Sequence, residues 1–151
     1  DVIIDYAHTP DALENLLTEL KKEYYNLILV FGCGGNRDRE KRPIMGEIAT
    51  LYSDLIVLTD DNPRNEDPKL IREEIKQGIP VSKKNLIVEI ADRREAIKFA
   101  IEYCLKNNIN QKTCLVIAGK GHENYQIIQN KKIPFSDKEV VLEFLHEKTT
   151  R

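Results

Sequence analysis

The sequence predicts an α/β domain, a Rossmann-like three-layer sandwich with a mostly parallel sheet, helices on both faces and a C-terminal β-hairpin. Three observations predict this fold. Short aliphatic and β-branched runs alternate with segments of helical periodicity from end to end. Several helical segments follow residues that can cap a helix. After the last apolar run, two short extended segments flank a polar turn, which predicts the hairpin.

The predicted parallel strands are continuous apolar runs, as expected for strands buried on both faces. They comprise residues 2–5, 27–31, 55–59, 86–90 and 114–118. The hairpin is expected over residues 124–129 and 133–135, with an Asn-Lys-Lys turn between them. A final helix follows the hairpin, and no internal repeat or linker interrupts the pattern. Residues 1–151 are therefore expected to form one domain.

The helices between the strands have recognisable start signals. Thr9 and Asp67 each precede a proline at the first helical position. Asp92 and Ser136 are each followed three residues later by glutamate, which is the capping-box pattern. After Asp92, apolar residues recur with a helical period and predict a stripe that faces the sheet. These residues are Ala96, Ile97, Ala100, Ile101, Cys104 and Leu105.

Composition excludes several classes of protein. The 23 basic and 25 acidic side chains give a net charge of −2, so we expect no nucleic-acid partner. No apolar run approaches the roughly 20 residues that cross a bilayer, so we expect no membrane partner. The three cysteines, Cys33, Cys104 and Cys114, have no C-x-x-C spacing and indicate neither a disulfide framework nor a zinc ribbon. A reducing, cytoplasmic location is expected.

The beginning of the sequence indicates a fragment. The first residue is Asp1, the only methionine is Met45, and the first residues already read as a buried strand. We therefore expect residues 1–151 to be one domain of a longer protein.

Polar and glycine-rich loops follow four of the predicted strands, at residues 5–10, 32–38, 60–64 and 119–123. In an open parallel sheet, ligands bind outside the carboxyl ends of the strands. Each loop taken alone is compatible with ordinary turn chemistry. Together they bring to one edge of the sheet five side chains that can form directional hydrogen bonds or ion pairs, which indicates a binding site. These are His8, Arg37, Asp61, Arg64 and Glu123.

The mixture of charges in these loops predicts the kind of ligand. The planar guanidinium groups of Arg37 and Arg64 suit carboxylates or phosphates. Asp61 and Glu123 suit ammonium or hydroxyl groups. A zwitterion satisfies both sets. A nucleotide alone would leave the acidic groups underused, although the carboxylate of Asp5 or Asp61 can accept hydrogen bonds from a ribose.

Three alternative sites fit the sequence less well. The glycine loop resembles a dinucleotide fingerprint, but its third glycine would fall at Arg37, which weakens the hypothesis of a nucleotide-binding module of a dehydrogenase. The second alternative is a receiver domain, the phospho-acceptor domain of signalling proteins. Such a domain places an acidic pair after its first strand, where this sequence has only Asp5. No P-loop pattern is present, and the segment Gly119-Lys120-Gly121-His122 lacks the hydroxyl that holds magnesium. The chain is therefore not a complete P-loop ATPase.

At these four loops the sequence resembles the C-terminal domain of the Mur ligases, cytoplasmic enzymes that build the peptide of bacterial peptidoglycan. The motifs are DYAHTPD at residues 5–11, GCGGNRD at 32–38, DNPR at 61–64 and GKGHE with Tyr125-Gln126 at 119–126. Within the family they are similar to the ligases that add meso-diaminopimelate as the third residue. The resemblance runs from Asp1 to about Leu145, and DNPR is its most specific part, because relatives that use lysine lack its arginine.

The resemblance implies which groups bind the carboxylates of diaminopimelate. Arg64, with Asn62 beside it in the motif that contains Pro63, holds the carboxylate at the non-reacting end. Arg37 binds the other carboxylate. Asn36 stands where related sequences often carry aspartate, a small departure because Arg37 and Asp38 follow unchanged.

The resemblance also implies which residues bind the ammonium group of diaminopimelate and which residues bind the nucleotide. The Gly119 carbonyl and Glu123, with Asp61 nearby, bind the ammonium at the non-reacting end. The loop that contains Asp5 and His8 meets ATP, with Asp5 as the candidate for its ribose. Meso-lanthionine has the same charged ends as diaminopimelate and suits the same groups.

The reaction that the resemblance implies is ATP-dependent amide formation. ATP phosphorylates the D-glutamate γ-carboxylate of UDP-MurNAc-L-Ala-D-Glu, and the free amino group of diaminopimelate attacks the acyl phosphate. In the family, ATP and Mg²⁺ are largely bound by preceding domains, so we expect no catalytic residue and no metal ligand within residues 1–151. The enzyme is expected to act as a monomer.

Overall fold

The computed structural model describes residues 1–107 and 112–149. Its strands are β1 (Val2–Asp5), β2 (Asn26–Phe31), β3 (Leu55–Leu58), β4 (Ile87–Glu89), β5 (Thr113–Ala118), β6 (Tyr125–Ile128) and β7 (Lys131–Pro134). Its α-helices are α1 (Pro10–Lys21), α2 (Lys41–Tyr52), α3 (Pro68–Lys76), α4 (Arg93–Asn107) and α5 (Asp137–Thr149). The predicted α/β sandwich with a hairpin after the fifth strand is confirmed.

The sheet is entirely parallel and has the strand order β1-β5-β2-β3-β4. The chain moves outward from β2 to β4 and then returns to insert β5 between β1 and β2. Asp5 pairs in register with Ala118, and Phe31 pairs with Leu58, so the carboxyl ends of neighbouring strands are level. The loops that follow these strands consequently meet at one edge. Strands β6 and β7 form a separate antiparallel pair.

Alternate side chains of the central strands serve two cores, one on each face of the sheet. In β2, Leu27, Leu29 and Phe31 pack on the face covered by α1, α2 and α3. Ile28 and Val30 pack on the opposite face with α4 and α5. The continuous apolar sequence of a central strand is explained by burial on both sides.

The two outer strands differ from the prediction of complete burial. Strands β1 and β4 are only partly buried, and Val2 is 37% exposed. They lie at the edges of the sheet, where a strand has one neighbour and incomplete helix cover. Strand β4 is also shorter than predicted: it begins one residue later, where the 3-10 helix Val81–Leu86 ends, and it ends at Glu89.

The predicted helix caps are present. Thr9 Oγ1 accepts a hydrogen bond from the Ala12 amide at 3.2 Å, and Asp67 Oδ1 accepts one from Lys69 at 2.9 Å. The amides of the two capping-box glutamates, Glu95 and Glu139, donate to Asp92 Oδ1 and Ser136 Oγ at 3.2 Å each. These bonds satisfy amides that have no partner within the helix.

The predicted apolar stripe of α4 is shorter than its sequence pattern. Ala96, Ile97, Ala100 and Ile101 are buried, whereas Cys104 is half-buried and Leu105 is 57% exposed. Cys104 and Leu105 instead border an open cavity that is also lined by Val2, Leu115 and Leu145. In the described part of the chain, no helix is both long and apolar enough to cross a membrane.

Candidate functional site

The loops after β1, β2, β3 and β5 line one cavity at the carboxyl edge of the sheet. Its volume is about 170 Å³, which limits a ligand to a small molecule. Seven of the residues predicted for the site line this cavity, namely His8, Arg37, Asp61, Asn62, Arg64, Gly119 and Glu123. Two others, Asp5 and Pro63, lie in the same loops but outside the cavity wall.

Close packing between two backbones brings the arginine loops together. A Cβ atom on Gly35 would lie 1.8 Å from the Pro63 carbonyl oxygen, and one on Gly32 would lie 2.0 Å from that of Thr59. The Gly35 amide donates to the Asn62 carbonyl at 2.7 Å. Only glycine permits this approach, and Pro63 supplies part of the surface against which the glycine loop packs.

Arg64 is held by both its backbone and its side chain. Its φ of +52° is a left-handed conformation that is uncommon for a residue with a side chain. Its amide donates to the Ile127 carbonyl at 3.0 Å, which ties it to β6. Its Nη1 donates to the Gly35 carbonyl at 3.0 Å. Within the described residues, Nε and Nη2 make no such bond and remain for a ligand.

Arg37 has much greater freedom than Arg64. It is exposed, and its Nη1 donates to the carbonyl of the preceding Asn36 at 3.1 Å. Asn36 has a φ of +54°, and its amide donates to Glu66. The turn at Asn36 therefore places Arg37 at the rim of the cavity, where its guanidinium group can adjust to a ligand.

The acidic side of the cavity is built around Lys120, which the sequence prediction of the site did not include. Lys120 is 0% exposed, and its Nζ lies 3.0 Å from Asp61 Oδ1 and 3.4 Å from Glu123 Oε1. Among the described residues, the buried Asp61 Oδ1 has no hydrogen bond of acceptable geometry, so its contact with Lys120 is ionic and poorly aligned. Gly119, at a φ of +117°, lies against the carboxylate of Asp61.

Asn62 is committed largely to the protein itself. Its Oδ1 accepts hydrogen bonds from Lys120 Nζ at 2.7 Å and from the Ile127 amide at 3.0 Å. Its Nδ2 makes one long contact with Glu123 Oε1, at 3.5 Å. The oxygen orients the side chain, and the nitrogen is the part available to an acceptor on a ligand.

The loop after β1 closes one side of the same cavity. His8 Nδ1 lies 2.8 Å from the Tyr6 carbonyl, which can only accept, so Nδ1 carries a hydrogen, and Nε2 has no partner in the described part of the chain. Tyr6 donates its hydroxyl to Glu123 at 3.4 Å, and the negative charge of Glu123 is the main cause of the raised pKa of this phenol. Asp5 accepts the Ala7 amide at 2.8 Å. The predicted nucleotide and amino-acid loops are therefore in contact.

A buried ion pair supports the floor of the site and was not predicted. Arg93 donates through Nε and Nη2 to the two oxygens of Asp137, at 2.8 Å each, and both side chains are 0% exposed. The same guanidinium group donates to the carbonyls of Asp60 and Ala118 at 3.2 Å. It thereby joins the carboxyl ends of β3 and β5. Such a pair is stable because its hydrogen-bonding groups find partners.

Cys33 and Asp60 also lie in these loops, and of the two Cys33 lines the cavity. Burial, with the charge of Asp61, raises the pKa of Cys33 to about 12, so its thiol is neutral and unsuited to nucleophilic attack. Asp60 forms an ion pair with Arg72 at 2.5 Å and does not line the cavity. Among the described residues, no cluster of three or more histidine, cysteine or carboxylate side chains is arranged to hold a metal ion.

Comparison with known proteins agrees with this geometry. The chain is 58% identical over 144 residues to the UDP-N-acetylmuramoyl-L-alanyl-D-glutamate--2,6-diaminopimelate ligase of Rickettsia montanensis, covering 93% of this chain and 28% of the relative. It is 56% identical over 145 residues to the ligase of the same name from Aquifex aeolicus, covering 95% of this chain and 29% of the relative. The chain therefore spans less than a third of the length of these relatives.

Solved structures show the same fold. A structure of a UDP-N-acetylmuramoyl-L-alanyl-D-glutamate--2,6-diaminopimelate ligase matches with a TM-score of 0.86 and 45% identity, over 98% of this chain and 29% of that chain. The Mycobacterium tuberculosis folylpolyglutamate synthase complexed with ADP and AMPPCP matches with a TM-score of 0.61 and 22% identity, over 78% of this chain and 26% of that chain. At that identity the second likeness concerns the fold alone.

The family assignment follows from a match across most of the chain. Residues 1–121 match the family model of the Mur ligase, glutamate ligase domain. The hypothesis of a dehydrogenase module receives no support from these matches, and the position of Arg37 in the glycine loop already weakened it. The four loop motifs and the matched residues together place the chain in a single family, and it belongs to the Mur ligases as a glutamate ligase domain.

Proposed function

We propose that residues 1–151 are the C-terminal, amino-acid-binding domain of a longer ATP-dependent ligase that adds meso-diaminopimelate to UDP-MurNAc-L-Ala-D-Glu. The enzyme would act on a cytoplasmic precursor of peptidoglycan. The relatives that share more than half of this sequence are named for that reaction.

One observation carries the proposal. Two arginines and two carboxylates, Arg37, Arg64, Asp61 and Glu123, line a single small cavity. Guanidinium groups bind carboxylates in a bidentate geometry, and carboxylates bind ammonium groups. A molecule with an amino-acid group at each end matches this arrangement, whereas an amino acid with an apolar side chain leaves charged groups unpaired.

The contacts of each group support its role. Arg64 is fixed by its bond to the Gly35 carbonyl, so its free Nε and Nη2 would hold the carboxylate at the non-reacting end of the substrate. The Nδ2 of Asn62 would donate to the same carboxylate. Glu123, the Gly119 carbonyl and Asp61 would receive the neighbouring ammonium. Arg37, which is exposed at the rim, would bind the second carboxylate, near the amino group that reacts.

The loop after β1 is proposed to meet ATP. Asp5 would bind the ribose, and His8 would present its free Nε2 to the nucleotide. ATP supplies the phosphoryl group that activates the D-glutamate γ-carboxylate. As the family resemblance implies, Mg²⁺ would be held largely by other domains of the enzyme. The function of this domain is then to bind and orient the amino acid so that its free amine faces the activated carboxyl group.

A ligation assay with the full-length protein tests the proposal. The purified protein would be incubated with UDP-MurNAc-L-Ala-D-Glu, ATP, Mg²⁺ and one amino acid at a time: meso-diaminopimelate, meso-lanthionine or L-lysine. Product mass and ADP release would be measured. We expect a tripeptide product with diaminopimelate and a large preference over lysine.

The comparison with meso-lanthionine identifies the third residue, because both compounds offer the same charged ends. A protein that folds and binds ATP but joins none of these amino acids to the nucleotide substrate would contradict the proposal. As a control, the assay would be repeated without UDP-MurNAc-L-Ala-D-Glu, which should abolish ADP release.

A further inference from the structure

We propose that Lys120 sets the substrate selectivity of this site. Its ammonium group balances one of the two carboxylates beside it, so that the pocket accepts a second ammonium only when a carboxylate enters with it. This inference rests on the proposed function, since it concerns the end of the substrate that distinguishes diaminopimelate from lysine.

The surroundings of Lys120 show that its charge is used inside the protein. The side chain is 0% exposed, and its Nζ donates to Asn62 Oδ1 at 2.7 Å and to the Tyr125 carbonyl at 2.9 Å. The carboxylates of Asp61 and Glu123 lie 3.0 and 3.4 Å away. An ammonium group has three hydrogens to donate, and Asn62 Oδ1, the Tyr125 carbonyl and Glu123 Oε1 accept them, while Asp61 adds an ionic contact. Without such partners, burial of this charge would be strongly unfavourable.

The formal charges explain how this arrangement discriminates. Asp61 and Glu123 contribute −2, while Lys120 and Arg64 contribute +2, so the set is neutral. The non-reacting end of diaminopimelate, an ammonium beside a carboxylate, adds no net charge. The ε-ammonium of lysine adds +1 without a carboxylate for Arg64. Removal of Lys120 changes the net charge of the set to −1, and a single ammonium group without a carboxylate would neutralise this charge.

Lys120 therefore acts as a positioning and selectivity residue rather than a catalytic one, because its Nζ is surrounded by groups of Asn62, Tyr125, Asp61 and Glu123. A purely structural role makes a different prediction. If Lys120 only attaches the hairpin through the Tyr125 carbonyl, its loss lowers stability without changing the preference between the two amino acids.

The test uses the full-length protein with Lys120→Met and Lys120→Gln. Methionine removes the charge and the donors, whereas glutamine removes the charge and keeps a donor. Lys76→Met is the matched control, since Lys76 also lies 2.7 Å from each of two carboxylates, Glu73 and Glu89, but outside the cavity. Steady-state kcat and KM would be measured with diaminopimelate and with lysine, together with the melting temperature.

We expect both Lys120 variants to lower the preference for diaminopimelate over lysine by about tenfold or more, mainly through KM. Lys76→Met should lower the melting temperature alone. An unchanged preference in a folded Lys120 variant, or a failure of both variants to fold, would overturn the inference. A wild-type protein that ligates none of the amino acids would instead reject the proposed function.

Discussion

Replacement of Arg64 by alanine tests the substrate assignment at its most specific residue. Alanine and arginine are equally disfavoured at a φ of +52°, so the substitution adds no new backbone strain. It removes the guanidinium group and its bond to the Gly35 carbonyl. The backbone bonds of residue 64 to the Ile127 carbonyl and from the Gln129 amide remain. The loop is therefore expected to keep its path.

The expected magnitude follows from the burial of the group. Arg64 is half-buried, and a carboxylate bound to its free Nε and Nη2 would be largely removed from water. Loss of one partner from such a pair costs about 2 to 5 kcal/mol, or roughly 30-fold to several thousand-fold in affinity. Lysine has no second carboxylate and should lose much less. The ratio of kcat/KM for diaminopimelate to that for lysine should therefore decrease.

The assay is steady-state ligation by the full-length protein, with kcat/KM measured for both amino acids. Arg64→Lys should restore only part of the activity, because an ammonium group cannot form the bidentate contact. Arg94→Ala is a control, since Arg94 is a partly exposed arginine of α4 that pairs with Glu143 and does not line the cavity. An unchanged ratio of the two kcat/KM values in Arg64→Ala would refute the assignment and leave Arg64 as a loop residue.

Three further predictions concern the nucleotide, the isolated chain and acid stability. Asp5→Ala in the full-length protein should raise the KM for ATP more than that for diaminopimelate, and the reverse order would reject the assignment of Asp5. The purified 151-residue chain should show no ATP hydrolysis, because its loops provide no phosphate cradle; turnover above contaminant controls would contradict this. The hydrogen bond from Arg42 lowers the pKa of Glu66 below its ordinary value of 4.5. Glu66 thus contributes stability above about pH 4.5 that is lost as the pH falls through the lowered value. The free energies of unfolding of the chain and of its Glu66→Gln variant, measured with urea, should differ near neutral pH and become equal in acid. A difference that does not change with pH would contradict the pairing of Glu66 with Arg42.

Most elements of the fold could be predicted because their signals are local. A continuous apolar run predicts a buried strand, and a Thr-Pro or Asp-Pro pair predicts where a helix begins. The prediction was wrong for the burial of β1 and β4, because strand order decides which strands lie at an edge. Residues 81–86 became a 3-10 helix, which shortened β4 at its beginning.

Most residues of the candidate site could also be predicted from the sequence. Parallel strands align their carboxyl ends, so loops that follow them in the sequence meet in space. That rule predicts that Arg37, Arg64, Asp61 and Glu123 lie together, and all four line the cavity. It did not include Lys120, because the sequence of the GKGHE loop does not reveal which side chain is buried.

The sequence by itself determined the α/β class, the order of the strands along the chain, the helix caps, and the loops that carry the charged groups, because these depend on residues close together in the chain. Only the tertiary structure decided how the groups are paired. Lys120 donates to Asn62, which lies 58 residues away in the sequence, and Arg93 pairs with Asp137, which lies 44 residues away. Such contacts depend on how the packed helices and strands orient each side chain. The same packing decides which charges are neutralised within the protein and which face the cavity.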